Sequence, residues 1–134
     1  MKITVDTNVL VRIVVRDDEK QARLATKILK EAELVALTLP CLCELVWVLR
    51  QGYKLEHAKV AVALELLLNA DNVAVNRPAA DAGLAVLKAG GDFADGVIAH
   101  EGSWLGGETF VSFDKKAVAL IAKQGQGAKL LGSS

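Results

Sequence analysis

Short apolar runs alternate along the chain with longer segments in which apolar residues recur every three or four positions. This alternation predicts strands separated by helices. The predicted strands are residues 2–6, 34–39, 72–75, 109–113 and 128–131, and the predicted helices are residues 7–16, 17–32, 41–51, 55–70, 78–90, 92–102 and 114–124. Short apolar strands separated by helices indicate an α/β fold, in which a parallel sheet is covered by helices on both faces.

Local signals support several of these helices and orient one of them. Pro40 suits the first turn of the third predicted helix, and Gly52 is expected to end that helix. In the helix predicted over residues 17–32, the spacing predicts that Leu24, Ile28 and Leu29 face inward.

The length and composition suit one soluble domain. We expect a single domain over residues 1–131 of the 134, followed by a disordered tail over 132–134. Hydrophobic residues make up 52% of the chain, yet the longest uncharged apolar stretch, 34–43, is far shorter than the ~20 residues of a membrane-spanning helix. The N-terminus lacks a signal-peptide pattern, so we expect a cytoplasmic protein. Its surplus apolar surface is expected to be buried against a partner or a second copy.

Charge and cysteine content narrow the chemistry only slightly. The formal net charge is +0 and the pI is about 6.7, so bulk electrostatics do not indicate a nucleic-acid partner, although a basic rim around an acidic site remains compatible with one. Cys41 and Cys43 stand two positions apart on a predicted helix, which points their side chains apart. We interpret them as free thiols in a reducing compartment.

Two aspartates follow predicted strands directly. Asp6 ends the first strand and Asp114 ends the fourth, and each precedes a helix. Ligand sites of open parallel sheets form beyond the carboxyl ends of strands. An acid in this position also caps the following helix, so both interpretations stay open. If the two strands are parallel neighbours, the two acids meet at one edge of the sheet.

Glu44 is the only charged residue between positions 34 and 49. An ionised carboxylate in apolar surroundings is costly unless it is paired or bound to a metal ion. The alternative to a ligand role is a structural ion pair with Arg12, Arg16 or Arg50.

Asp92 and Asp95 lie in an otherwise apolar segment, GGDFADGVIAH, at residues 90–100. On a helix they share one arc with Gly96 and Ala99, whose small size is expected to leave room for a ligand. Asp92 stands at the helix start, where capping is favoured over ligation, whereas Asp95 lies one turn in and is the better candidate ligand.

Crowded carboxylates repel one another, and a divalent cation would relieve that repulsion. Oxygen ligands suit Mg²⁺ or Mn²⁺, whereas zinc prefers histidine or cysteine. His57 opens a helix and His100 lies about 140° around its helix from Asp95, so neither is expected to be a ligand.

The chain resembles the PIN-domain nucleases of the VapC toxin type. The matching stretches appear in the family's order over essentially the whole chain: VDTNVL, CELVWVL, GGDFADGVIAH and SFDKKA. The stretch DFADGVIA is similar to the family's D-F-A-D-A-L-I-A. The resemblance implies a PIN-like three-layer α/β/α fold with a central, mostly parallel sheet of four to five strands.

The resemblance also implies roles for individual residues. Four acids take the family's positions around Mg²⁺ or Mn²⁺, as catalytic and metal-binding residues: Asp6, Glu44, Asp95 and Asp114. Asn8 and Ser112 fall on supporting polar positions, and Asp92 matches an additional acid of the subgroup. The departures are Gly96, where the subgroup usually has Ala, and a C-terminal half with few basic residues.

The implied activity is metal-dependent endonucleolytic cleavage of RNA, by the toxin of a toxin–antitoxin pair that binds its antitoxin and forms a homodimer. Basic residues are available for RNA phosphates: Arg12, Arg16, Arg50, Lys115 and Lys116. One alternative is a non-catalytic module that binds RNA or a partner. Another is a Mg²⁺-dependent phosphatase, which is disfavoured because it needs an acid where Asn8 stands.

Overall fold

The computed structural model describes residues 1–132. The chain forms two compact units, of which the first is Met1–Asn76 and the second begins at Arg77. The extent of the predicted domain stays a prediction, and residues 133 and 134 of the predicted tail lie outside the described residues.

The first unit contains three short parallel strands and four α-helices. Its elements are β1 (Lys2–Thr4), α1 (Thr7–Val15), α2 (Glu19–Glu31), β2 (Leu34–Ala36), α3 (Leu39–Trp47), a π-helical segment (Val48–Gly52), α4 (His57–Leu68) and β3 (Val73–Ala74). The strand order is β1-β2-β3, with Ile3 opposite Val35 and Val35 opposite Val73. Val35 is fully buried, because β2 is the central strand of this sheet.

The predicted start and end signals of the third helix, Pro40 and Gly52, are confirmed. Pro40 lies in the first turn of α3, and the helical path continues through the π-helical segment to Gly52. The Thr38 hydroxyl accepts a hydrogen bond from the Cys41 amide and caps α3. These caps fix where the helix that carries Glu44 begins and ends.

The predicted inner face of α2 is wrong in part. The helix buries Ala22 and Ala25, whereas the Leu24 side chain is 61% exposed and the Ile28 side chain is 37% exposed. Leu29 is half-buried. Small alanines allow α1 to pack closely on this face of α2, so the larger residues lie beside the contact instead of inside it.

The second unit contains three helices and two parallel strands: α5 (Arg77–Lys88), α6 (Phe93–Trp104), β4 (Thr109–Ser112), α7 (Lys115–Lys123) and β5 (Gly127–Leu130). Strands β4 and β5 pair from Thr109 opposite Gly127 to Ser112 opposite Leu130, with α7 as the connection. Val86, Ala99 and Ile121 form a buried cluster with the inner face of this sheet.

Helices α5 and α6 meet at two glycines. A Cβ atom added at Gly96 would lie 2.4 Å from the Ala82 carbonyl oxygen, and one added at Gly83 would lie 2.6 Å from the Phe93 ring. The expectation that Gly96 and Ala99 leave room for a ligand is therefore wrong, because both are buried. The neighbouring Ile98 side chain is 57% exposed.

The α/β fold class with parallel strands is confirmed, with the five strands in ladders of three and two. Asp6 and Asp114 are expected to meet only if the first and fourth strands are neighbours. Among residues 1–132 no ladder joins these two strands: β1 pairs with β2, and β4 pairs with β5. None of the helices in the described part of the chain has the length and apolar character needed to cross a bilayer.

Candidate functional site

Asp6 is held at the start of α1 by its own capping contact. It is exposed, and its Oδ1 accepts a hydrogen bond from the Thr7 amide at 2.7 Å. The capping interpretation of Asp6 is therefore realised. Since the cap uses one carboxylate oxygen, it is compatible with a ligand role for the other.

Behind Asp6, a buried threonine and thiol tie α1 to α3. Thr7 is 6% exposed, and its hydroxyl donates to the Cys41 Sγ at 3.7 Å. The Cys41 thiol donates in turn to the Val5 carbonyl oxygen at 3.7 Å. These contacts fix the first turn of α1, and hence Asp6, against the helix that carries Glu44. Cys41 and Cys43 are free thiols, as predicted.

Glu44 is exposed, so the expectation of a buried carboxylate is wrong. It shares the outer side of α3 with Trp47, one turn further along and 65% exposed, while Leu42 and Leu45 face the core. An apolar stretch of sequence does not by itself bury its one charged residue, because a helix still has an outer side.

The alternative of a structural ion pair for Glu44 is also wrong. Glu44 is not a member of the ion pairs Arg12–Asp17, Arg16–Glu19 and Arg77–Asp81. Arg12 pairs with Asp17, and Arg16 lies 3.6 Å from Glu19. Arg50 donates to the Leu55 carbonyl oxygen at 2.7 Å.

Asp6 and Glu44 act on the same thiol. Burial raises the pKa of the Cys41 thiol, the hydrogen bond from Thr7 lowers it, and the negative charges of Asp6 and Glu44 raise it. The two carboxylates therefore share one neighbourhood in the first unit. Cys41 stays a neutral thiol there, which makes it a packing residue and not a nucleophile.

Asn8 lies on α1 beyond this pair. It is exposed and borders a groove of about 540 Å³ between α1 and α2, which Leu24 and Ile28 also line. Among the described residues, no hydrogen bond joins Asn8 to Asp6 or Glu44.

The second unit brings three acids together at the starts of two helices. Asp92 caps α6 by accepting from the Ala94 amide at 3.1 Å, and Asp114 caps α7 by accepting from the Ala117 amide at 3.1 Å. The Ser112 hydroxyl accepts from the Asp114 amide at 2.9 Å, which orients the turn between β4 and α7. Asp95 stands in the first turn of α6 and is half-buried.

Asp95 is the electrostatically unusual acid of the chain. Its pKa is raised from 3.8 to about 6, mainly by burial and in addition by the negative charges of Asp92 and Asp114. The burial follows from the packing of α6, since the adjacent Gly96 lies against the backbone of α5. The close helix contact thus shields one carboxyl from water and leaves it beside two others.

The donor set fits a hard divalent cation. All five acids offer carboxylate oxygens, and a cation at Asp95 would favour the charged form that burial and two neighbours disfavour. Within residues 1–132, no group of three or more His, Cys, Asp or Glu side chains has the spacing of a metal site. The fit therefore rests on donor chemistry and on the repulsion at Asp95.

The histidines are placed elsewhere. His57 begins α4. The His100 Nε2 atom accepts a hydrogen bond from the Trp104 indole at 3.2 Å on the same helix.

Sequence reasoning missed Thr7 as a positioning residue. It is the one buried polar or charged residue among those described. The signal was weak, because a threonine after a strand-end aspartate is equally typical of a simple helix cap.

The sequence model of one protein family, described as PIN domain, matches residues 3–123. The match spans all five acids. No curated protein and no solved structure shows significant similarity to the chain.

Proposed function

The chain belongs to the PIN domain family, and from this premise we propose that it is a Mg²⁺- or Mn²⁺-dependent endoribonuclease. PIN domains are typically nucleases and generally use divalent metal ions, which supports a nuclease role at a coarse level. The cleavage of RNA, the identity of the metal and the roles of individual acids are the proposal.

One observation carries this proposal: three acids meet at the starts of α6 and α7, where burial and mutual repulsion oppose the ionisation of Asp95. Helix capping explains Asp92 and Asp114. It does not explain a half-buried carboxyl in the first turn of α6, which accepts no capping hydrogen bond among the described residues. An ionised Asp95 carboxylate in this position does not stabilise the fold, whereas the binding of a cation requires the ionised form.

In the proposed reaction, a water oxygen bonds to phosphorus while the bond from phosphorus to the leaving ribose oxygen breaks, and a proton passes to that oxygen. A divalent cation held by these acids would supply a bound water of lowered pKa and would stabilise charge on the leaving oxygen. Asp95 and Asp114 are the proposed ligands in the second unit, and Asp6 is the proposed ligand in the first. Glu44 is exposed and available to orient the attacking water or accept its proton.

We also propose that the protein is the toxin of a toxin–antitoxin pair and forms a homodimer. Exposed apolar side chains on α3 and α4 support an interface in the first unit: Trp47, Val62 and Leu66, at 65%, 59% and 72% exposure. Size-exclusion chromatography with light scattering tests the dimer. A monomer at micromolar concentration contradicts it.

Cleavage of structured RNA tests the nuclease proposal. The protein is incubated with several RNAs and Mn²⁺, with and without EDTA, beside Asp6→Ala. We expect internal cleavage that EDTA abolishes and that Asp6→Ala lacks. Binding without such cleavage supports the non-catalytic module instead, and hydrolysis of a phosphomonoester supports the phosphatase.

A further inference from the structure

Helix α2 carries a basic stripe on one side. Lys20, Arg23, Lys27 and Lys30 follow one another at spacings of three, four and three residues, which places them within one arc of the helix. All four are exposed. Ala22 and Ala25 occupy the opposite, buried side.

The stripe borders a concave surface, here called the basic groove. The basic groove has a volume of about 310 Å³ and is lined by Arg16, Arg23, Thr26, Lys27, Lys30 and Glu31. Arg16 ends α1 in a left-handed conformation with a φ of 57°. Its guanidinium donates to the Thr26 hydroxyl at 3.5 Å, which closes one end of the groove.

Most of the positive charge in the basic groove has no intramolecular partner. Arg16 lies 3.6 Å from Glu19. The ion pairs found in the described part of the chain do not include Arg23, Lys27 or Lys30. Four basic side chains and one acidic side chain line the groove of a protein whose net charge is +0, so the excess is local. Such a patch attracts a polyanion and is screened by salt.

We infer that the basic groove binds the phosphate backbone of an RNA strand outside the cleavage site. The inference rests on the proposed function for the identity of the polyanion. Asp6 caps the start of α1 and Arg16 ends it, so about 15 Å of helix separates them. A strand that contacts both Asp6 and the basic groove would span about this distance.

The composition of the groove favours RNA over an acidic protein segment. Protein partners gain most of their affinity from apolar and aromatic anchors that fill pockets. No apolar side chain lines the basic groove. A backbone of repeating phosphates needs only spaced cations, and four basic side chains line the basic groove.

Fluorescence anisotropy of a labelled single-stranded RNA of 12 nucleotides tests the inference. EDTA is present so that the RNA stays intact, and KCl is varied. The test variant is Arg23→Gln/Lys27→Gln/Lys30→Gln. The matched control, Lys59→Gln/Lys123→Gln/Lys129→Gln, removes the same charge from exposed positions on other elements. We expect the groove variant to bind about tenfold more weakly and its log–log salt slope to flatten by about 2, while the control stays near wild type.

Equal losses in the two variants overturn the inference, because they indicate bulk charge alone. Groove-dependent binding of polyglutamate or of phosphatidylserine vesicles without groove-dependent binding of RNA overturns it as well. Cleavage in Mn²⁺ separates the two proposals. If the protein cleaves RNA and its groove variant binds RNA normally, the proposed function stands and the inference about the basic groove is wrong. If the protein never cleaves RNA but shows the groove-dependent salt slope, the inference about the basic groove stands and the nuclease proposal is wrong.

Discussion

The acidic pair of the first unit, Asp6 and Glu44, differs from the acidic trio of the second, Asp92, Asp95 and Asp114. Both members of the pair are exposed, and burial, together with their two charges, raises the pKa of the Cys41 thiol. The trio contains a half-buried acid whose pKa is raised to about 6 by burial and by its two neighbours. The carboxyl group with the raised pKa therefore lies in the unit where two helices are packed through glycines.

The largest expected effect comes from removing the charge at the centre of the trio. Asp95→Asn keeps the side-chain shape, and we expect it to lower the rate of RNA cleavage more than about a hundredfold, because even the outer partners of metal ligands contribute 10–100-fold. Glu101→Gln, on the same helix and exposed, is the matched control. Cleavage by Asp95→Asn within tenfold of wild type would show that the trio is structural.

The packing that shields Asp95 is tested at two glycines of α6. Gly96→Ala places a Cβ 2.4 Å from the Ala82 carbonyl oxygen, and we expect the free energy of unfolding to fall by about 1–3 kcal/mol. Gly102→Ala meets nothing within 4 Å and should raise it by up to about 1 kcal/mol. Denaturant titrations of both variants measure the contrast. Similar changes of one sign would contradict the close helix contact.

Removal of the partly buried Asp95 charge is expected to raise the free energy of unfolding, by an amount that depends on pH. The pKa of Asp95 is higher in the folded chain, about 6, than its ordinary value of 3.8, so the folded protein binds this proton more tightly. Its contribution is therefore most favourable below pH 4, declines between pH 4 and 6, and is fully unfavourable above pH 6. In EDTA, Asp95→Asn should be more stable than wild type at pH 7.5 by about 1 kcal/mol, after allowance for solvent screening.

Melting temperatures at pH 7.5 and pH 4 test this gain. The difference between Asp95→Asn and wild type should shrink at pH 4, since wild-type Asp95 is then protonated when folded. A difference of the same size at both values would assign the effect to something other than charge. Asp92→Ala provides a contrast, because loss of the α6 cap should destabilise the protein by about 1 kcal/mol.

The smallest effect is expected in the first unit. Thr7→Val removes the hydroxyl that donates to Cys41, and we expect the free energy of unfolding to fall by about 0.5–1 kcal/mol. We also expect a severalfold loss of cleavage, because Asp6 loses the support of its first turn. Thr4→Val in the exposed part of β1 is the control and should change stability by less than about 0.5 kcal/mol. Equal stability and equal cleavage rates in the two variants would show that Thr7 does not position Asp6.

Most secondary structure was predictable because it depends on local signals. Apolar periodicity located the helices and strands, Pro40 marked the start of α3, and Asp92 marked the start of α6. The inner face of α2 was not predictable from periodicity. Both Leu24 with Ile28 and Ala22 with Ala25 form apolar stripes, and only the neighbouring helix decides which one is buried.

The sequence allowed the acidic residues of the candidate site to be selected, but it did not allow the burial of each one to be predicted. Glu44 stood alone in an apolar stretch and was expected to be buried, yet it lies on the outer side of α3. Asp95 is the acid that burial affects most, through a contact between Gly96 and α5 that brings together residues more than ten positions apart. Burial depends on packing between secondary-structure elements. A charged residue that stands alone in an apolar stretch of sequence is therefore not necessarily buried. The catalytic roles of the acids stay predictions.

Calorimetric titration of Mn²⁺ into the protein tests most directly whether the acidic trio binds a divalent cation. We expect wild type to bind Mn²⁺ and Asp95→Asn to bind it at least about tenfold more weakly. Glu101→Gln serves as the control and should bind as wild type does. Wild-type affinity in Asp95→Asn would contradict a cation site at the trio.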